Sequence, residues 1–347
     1  MSKKNITLGI FGGGQLGKFL VQSARKLKIK TIVYTDSNDS PAIYYADDFY
    51  VAKYTNKKTI NKFIKKIDVA TFEFENIPFN TLRYVTKKIK VYPNPNIISI
   101  LQDRLKEKNF LNFNKINTTK YFNLKNINKK KINKNFFPAI AKTRTLGYDG
   151  KGQTFFKNKK TFLKYQFKNQ NYIIEKLVNF KKEISIIITR NKKQIYCFDA
   201  FQNIHKEQIL KFSYSDANIN KKINLEAKKI AEKIVKKLDY IGTMCVEFFI
   251  TNQNKILVNE IAPRVHNSGH LTMNAYNVSQ FENHIRAVCN IKIIKPKKIH
   301  KMMMNNILGK EIKYYRSKII KKNEYLFDYG KQEIKEKRKM GHLTKLI

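Results

Sequence analysis

The chain has 347 residues, and its 70 lysines and arginines against 26 acidic residues give a formal charge of +44. Hydrophobic residues at 42% and aromatics at 12% exclude a disordered chain, and no apolar run approaches the ~18 residues of a membrane span. Cys197, Cys245 and Cys289 are scattered and odd in number, and no signal-peptide pattern opens the chain, so a reducing cytoplasm is expected.

Roughly 100–200 residues per domain predicts two or three domains. Ile6–Phe11 reads as a buried strand, Lys18–Leu27 as a helix with Phe19, Leu20, Ala24 and Leu27 on one face, and Thr31–Tyr34 as a second strand. Thr59–Lys66 reads as a basic helix and Val69–Phe74 as another strand. That alternation predicts a parallel α/β sheet. Leu101–Phe113 is a predicted helix, and the Lys/Asn-rich Phe122–Asn135 is a predicted loop. Phe137–Lys142 and Tyr172–Glu175 are strand-like, and Glu183–Arg190 pairs with Gln194–Ala200 around Asn191-Lys192-Lys193. Leu225–Leu238 is an amphipathic helix, Cys245–Ile250 and Lys255–Ile261 form a hairpin, and Ser279–Val288 is a helix. The basic tail from Ile291 reads as short strands.

Five segments carry candidate chemistry. Gly12-Gly13-Gly14-Gln15-Leu16-Gly17 satisfies G-x-G-x-x-G, with Asp36 about 20 residues on. It fits a dinucleotide, another anionic ligand, or a purely structural turn. Thr71–Asn76 places Glu73 and Glu75 on one face and Phe72 and Phe74 on the other, at the end of a strand where α/β ligand crevices lie. Lys142 precedes Gly147, Gly150, Lys151 and Gly152, a loop able to close over a polyphosphate, although Gly-Lys-Ser/Thr is missing. Glu247, Asn259 and Glu260 sit on adjacent apolar strands and offer hard oxygens to Mg²⁺. Arg264, His266, Asn267, Ser268 and His270 follow in a loop suited to an oxyanion. The positive charge is spread along the chain, as compositional drift would leave it. It would draw nucleic acid only non-specifically, and no membrane partner is expected.

Together GGGQLG (12–17), TFEFEN (71–76), QDRLKEKNFL (102–111), GYDGKGQ (147–153), NEIAPRVHNSGH (259–270), SQFENHIRA (279–287) and KMGHL (339–343) resemble the ATP-grasp superfamily. Within it they resemble the N5-carboxyaminoimidazole ribonucleotide synthetases. The resemblance implies an α/β and α+β protein of three domains. These are a Rossmann-like pre-ATP-grasp domain (1–100), an ATP-grasp domain (101–290) and a small C-terminal β-rich domain (291–347).

It also implies ATP-dependent carboxylation of 5-aminoimidazole ribonucleotide by bicarbonate, with Mg²⁺, in a homodimer. By the same resemblance Arg104, Lys142 and the loop Gly147, Tyr148, Asp149, Gly150, Lys151, Gly152 and Gln153 contact ATP. Glu175, Lys176, Leu177 and Val178 line the adenine, Glu183 meets the ribose, and His205 and Asn259 lie on the nucleotide side. Glu247 and Glu260 hold the metal. Gln15, Leu16, Glu73, Glu75, Tyr148 and Asp149 face the aminoimidazole nucleotide. Lys331, Arg338 and Lys339 neutralise its phosphate. Arg264, His266, Asn267 and Ser268 face bicarbonate and substrate, and Arg264, His266, Asn267 and Lys142 form the catalytic set. Leu146 departs from the family pattern, standing where glycine is usual, and Leu271 stands where an aromatic is usual. A sister ligase, such as a formate-dependent glycinamide ribonucleotide transformylase, and a nucleic-acid binder on a degenerate ATP-grasp scaffold are the alternatives.

Overall fold

Short apolar strands joined by amphipathic helices bury both sheet faces when they pair in parallel. The computed structural model describes residues 6–147, 150–168 and 171–347. In it β1 (Thr7–Phe11) and α1 (Gln15–Lys26) lead to β2 (Lys30–Thr35), β3 (Asp48–Val51), α2 (Lys57–Ile64), β4 (Val69–Phe72), α3 (Phe79–Thr86) and β5 (Lys90–Val91). All five strands are parallel, in the order β3-β2-β1-β4-β5. β1 and β4 are neighbours, so the Gly12–Gly14 turn and Glu73 leave the same edge of the sheet. β4 ends at Phe72, earlier than expected. Phe72 is buried and Phe74 exposed, so the two phenylalanines do not share an environment.

An unanticipated helix, α4 (Pro95–Leu101), precedes the one expected over Leu101–Phe113, which is α5 (Arg104–Phe113) and starts three residues later than expected. Asp103 divides them. Its carboxylate caps α5 by accepting the Leu105 and Lys106 N–H groups, and the Arg144 guanidinium holds it from the other side.

A four-stranded antiparallel sheet follows, built from β6 (Tyr121–Asn123), β7 (Ala139–Thr143), β8 (Gln153–Phe156) and, after α6 (Lys159–Lys164), β9 (Tyr172–Lys176). The expected Phe122–Asn135 loop contains part of β6 and two short 3₁₀ turns. Asn128 and Asn133 cap those turns with their side chains. The asparagines that make the segment look structureless therefore supply its local hydrogen bonds.

The large sheet holds β10 (Phe180–Arg190), β11 (Ile195–Cys197), β12 (Phe201–Lys206) and β13 (Ile209–Tyr214). After α7 (Lys221–Lys237) come β14 (Gly242–Thr251), β15 (Ile256–Ala262), α8 (Thr272–Ala275) and α9 (Gln280–Val288). The chain ends with β16 (Met302–Leu308), α10 (Glu311–Ser317), β17 (Glu324–Asp328) and β18 (Lys339–Leu346). The order β15-β14-β10-β12-β13-β16-β18-β17, with β11 beside β10, carries the C-terminal strands into the same sheet through the β13–β16 pairing. α7 lays Ala227, Ala231, Ile234 and Val235 on Ile184, Ile186 and Val246.

α9 ties the two main sheets together. The buried His284 accepts the Thr243 N–H at Nδ1 (3.0 Å), which leaves Nε2–H to donate to Thr71 Oγ1 (2.8 Å). Burial keeps this imidazole neutral, with its pKa driven down to about 3. Among the described residues no helix is long and apolar enough to cross a membrane.

Candidate functional site

The antiparallel register of β14 and β15 sets Glu247 directly opposite Glu260, with a bulge immediately after Glu247. Two carboxylates close together in a poorly solvated place resist double ionisation. Burial, and then Glu260 beside it, push the Glu247 pKa up. Burial would raise Glu260 as well, but Arg104 outweighs it and holds that pKa down, its Nη1 donating to Glu260 Oε2 at 2.9 Å. Next to Glu260, the buried Asn259 Oδ1 has no hydrogen-bond partner. Two carboxylates and a waiting amide oxygen make a donor set that fits a hard divalent cation.

α5 fixes this strand. Arg104, Glu107 and Lys108 lie on one helix face and reach consecutive residues of β15. Arg104 holds Glu260, Glu107 Oε2 accepts the Ile261 N–H at 3.4 Å, and Lys108 Nζ donates to the Asn259 carbonyl at 2.9 Å. Lys108 also donates to Thr118 Oγ1 (2.8 Å) and Thr119 Oγ1 (3.0 Å), and lies 3.8 Å from Glu175. Glu175, on β9, further accepts from Lys142 at 3.1 Å and Thr119 at 2.9 Å. Burial works against its ionisation, but Lys108, Lys142 and Arg104 outweigh it and hold its pKa at about 2. Lys108 is thus a buried joint between the small sheet and the paired glutamates.

Above this floor opens a cleft of ≈ 650 Å³. Lys142 and Lys176, Leu177 and Val178 line it from the small sheet. Phe180 and Phe249, stacked at 4.7 Å, form an apolar wall. Glu183 and His205 lie opposite, joined at 2.6 Å. Burial lowers the His205 pKa, but Glu183 outweighs it and the net shift is upward. Asn259, His266, Asn267 and Lys339 complete the inner end. Both side-chain amide atoms of buried Asn267 lack partners. Gly150 and Gln153 reach the rim, and Gly147 offers its carbonyl to Arg104 Nη2 at 3.3 Å. Lys151 and Gly152 are exposed, and Tyr148 and Asp149 lie outside the described residues.

The loop after β15 is held by Gln280, which accepts the His266 N–H (2.9 Å) and donates to the His266 carbonyl (2.6 Å). Burial, then Arg264, lower the His266 pKa to about 3. Arg264 is locked onto Glu75 at 2.8 Å, and Ser268 is fully buried, receiving the Ser185 hydroxyl at 2.8 Å.

A second group of predicted residues gathers at the first glycine turn. Glu73 Oε1 accepts the Gly14 N–H at 2.7 Å. A carboxylate therefore already occupies the N-terminus of α1, where a pyrophosphate would have to sit, and the dinucleotide reading is excluded on this geometry. Gln15 opens α1, whereas the Leu16 side chain is buried in the core. Lys331 Nζ donates to the Lys339 carbonyl at 2.7 Å, and Arg338 pairs with Asp39 at 3.0 Å. Burial, then Arg338, draw the Lys331 pKa down to about 8.

Sequence reading did not single out Lys108, Glu107, Thr119, Asp39 or the Phe180–Phe249 wall. The only local signal for Lys108 is its helical spacing from Arg104.

The family model of the ribonucleotide synthetase pre-ATP-grasp domain matches residues 5–102, the ATP-grasp domain 109–281, and the phosphoribosylaminoimidazole carboxylase C-terminal domain 302–346. The N5-carboxyaminoimidazole ribonucleotide synthase of Staphylococcus aureus (strain COL) is 41% identical, over 99% of this chain and 93% of that protein. The crystal structure of the Staphylococcus aureus N5-carboxyaminoimidazole synthetase complexed with ADP superposes with a TM-score of 0.91 at 38% identity, covering 99% of this chain and 94% of that one. The Aspergillus clavatus N5-carboxyaminoimidazole synthase, in complex with ADP and 5-aminoimidazole ribonucleotide, gives 0.91 at 26% identity, with coverage of 99% and 94%. With paired glutamates under an interlobe cleft, three matched domains and full-length likeness, the chain belongs to the N5-carboxyaminoimidazole ribonucleotide synthase family of ATP-grasp ligases.

Proposed function

We propose that this protein carboxylates the exocyclic amine of 5-aminoimidazole ribonucleotide with bicarbonate in purine biosynthesis. ATP is consumed, and N5-carboxyaminoimidazole ribonucleotide, ADP and phosphate are the products. The observation that carries the reading is the Glu247–Glu260 pair, set face to face beneath the cleft beside the unpartnered Asn259 and Asn267 oxygens.

The residues divide the work by charge. Lys142 and the Gly147–Gln153 loop take the phosphates, and the Phe180–Phe249 wall with the end of β9 takes the purine ring. Glu183, oriented by His205, meets the ribose. Glu247 and Glu260, with Asn259 beside them, would hold Mg²⁺, which supplies charge neutralisation for the transferring phosphoryl group. Bicarbonate attacks the γ-phosphate to give carboxyphosphate, whose carboxyl group, or CO₂ released from it, passes to the amine. Phosphoryl transfer of this kind depends mostly on positioning and electrostatics. Neutral His266, Asn267 and Arg264 face bicarbonate, and Arg264 is kept straight by Glu75. Gln15, Glu73 and Glu75 face the ribonucleotide, and Lys331, Arg338 and Lys339 its phosphate. We take the working form to be a cytoplasmic homodimer, which sedimentation would report as a species of twice the chain mass.

ADP release with ATP, Mg²⁺ and bicarbonate, with and without the ribonucleotide, tests the reading. Wild type turns over faster with the ribonucleotide present, and Glu260→Gln loses about 100-fold or more, because metal-held charge is worth several kcal/mol in the transition state. A wild type that binds ATP but ignores the ribonucleotide overturns the acceptor, and glycinamide ribonucleotide with formate is then the substrate pair to try.

A further inference from the structure

Cys245 and Glu247 project from the same face of β14, two residues apart, and His266 reaches over them from the loop after β15. A ligating atom from each of the three side chains lies within 4.8 Å of the others. His266 Nε2 stands 3.7 Å from Glu247 Oε1. The other ring nitrogen, Nδ1, is paired with Ser268 Oγ at 2.9 Å, and Ser185 donates to that hydroxyl at 2.8 Å. Nδ1 also accepts the Ser268 N–H at 3.3 Å, so the resting neutral ring carries its proton on Nε2. Nε2 can ligate a cation only after that proton moves to Nδ1, where Ser268 Oγ can accept it. In that second tautomer Nδ1–H donates to Ser268 Oγ, as the non-ligating nitrogen of a metal-bound histidine does.

The donor types differ from those of the Glu247–Glu260 pair. Mg²⁺ wants six oxygens and gains nothing from sulfur. Zn²⁺ takes Cys, His and carboxylate together in a tetrahedral shell, and three protein ligands leave one position for water. Bonds of about 2.0–2.3 Å set tetrahedral donors roughly 3.4–3.8 Å apart. The His266–Glu247 spacing is within about 0.4 Å of that for a nitrogen and an oxygen on one Zn²⁺, and Cys245 needs a side-chain shift of about 1.3 Å at most. Glu247 and His266 line the cleft, whereas Cys245 is fully buried two residues before Glu247, so an ion that enters the cleft meets Glu247 and His266 first and reaches the thiol between them.

We propose that Cys245, Glu247 and His266 form a thiophilic cation site that binds Zn²⁺ and shares Glu247 with the Mg²⁺ pair. The two occupancies compete, because both ions draw on the Glu247 carboxylate and two divalent cations held on one carboxylate repel each other. Zn²⁺ is therefore an inhibitor that acts at the metal floor and not at either nucleotide site. Binding forms an S–Zn bond and releases the Cys245 thiol proton to water, with no change of oxidation state. The binding half of this proposal stands whether or not the carboxylation reading holds, and the inhibition half rests on that reading.

The full chain, free of nucleotide, is titrated with Co²⁺ and then Zn²⁺. The expected result is a thiolate-to-cobalt charge-transfer absorption with tetrahedral visible bands, both bleached by one equivalent of Zn²⁺. Cys245→Ala loses the charge-transfer absorption and binds Zn²⁺ more than about 10-fold more weakly, since loss even of an outer partner costs that much. It retains wild-type turnover with Mg²⁺, while its Zn²⁺ inhibition constant rises in step with the binding constant. Cys245→Ser gives the same result if the alanine variant is poorly folded. Equal Zn²⁺ affinity in wild type and variant overturns the site, as does a cobalt spectrum without the thiolate band. Either result would put the ion on Glu247 and Glu260 alone.

Discussion

The chain contains two glycine turns that look alike as sequence and differ in what fills them. At Gly12–Gly14 the protein supplies its own anion. Gly12 has a φ of +99°, Glu73 closes onto the Gly14 N–H at 2.7 Å, and a Cβ on Gly12 or Gly14 would strike that carboxylate. The described residues of the second turn are held differently. Gly152, at φ +76°, folds against Thr143, Gly147 touches Arg104, and the turn otherwise opens on the cleft. A helix N-terminus or glycine turn is an anion site only where the fold has left it without an anion. In the proposed assignment the first turn faces the ribonucleotide and the second faces ATP.

The largest effect should come from removing the joint under the second turn. Lys108→Met leaves Glu175 with Lys142 alone and removes the donor to the Asn259 carbonyl. Breaking a buried pair from one side costs about 3–5 kcal/mol, readable as a lower urea midpoint. ATP affinity should fall far more than ribonucleotide affinity in binding titrations. An equal loss of both would mean that the two turns share one support, which would break the contrast. Glu73→Gln tests the other turn. The isosteric amide keeps the shape and loses the charge-assisted bond, worth about 1.5–3 kcal/mol. Ribonucleotide affinity should drop by about 10-fold or more while ATP affinity stays within about twofold.

How much of this was legible in sequence follows from the range of the interactions. β1, β2, β4, α7, α9 and the β14–β15 hairpin announce themselves through local apolar periodicity, and the glycine and glutamate motifs sit on or beside them. The start of α5 at Arg104 is fixed by its Asp103 cap, which Arg144, far along the chain, holds in place, so the reading of Leu101–Phe113 begins it three residues early. The β12–β13 hairpin was missed because its turn is polar and its register shifts between Ile204 and His205, which interrupts the alternation. Lys108 was invisible for a different reason. Among 70 basic residues a buried lysine carries no local mark, and only its tertiary partners distinguish it. The Glu73–Gly14 bond is likewise a contact between parallel strands that no spacing rule encodes.

Acid should separate the two turns more gently. β4, which carries Glu73, is held to β14 through His284. Burial keeps that imidazole neutral down to about 3, whereas in the unfolded chain it takes a proton near 6.5. Its contribution is full above pH 6.5 and is lost as pH falls through that window toward 3. Thermal midpoints should therefore decline below pH 6.5, and His284→Gln should flatten the decline. A variant whose acid profile matches wild type would place the loss in other groups.

The smallest effect concerns Leu146, which leads into the second turn. Leu146 sits at φ +61°, the left-handed region, with 70% of its surface exposed. Holding a non-glycine residue there costs about 1–2 kcal/mol, and so exposed a side chain returns little through packing. Glycine would remove that cost while adding about 0.5–1 kcal/mol of backbone entropy to the unfolded chain. The balance favours Leu146→Gly by about 0.5–1 kcal/mol, against the usual sign for a glycine placed in a loop. Leu146→Val should go the other way, because a β-branched residue is still less at ease at positive φ. Urea unfolding of the two variants reads the difference directly. If glycine destabilises and valine does not, the turn does not hold a left-handed residue at 146. Its openness would then have to come from Gly150 and Gly152 alone.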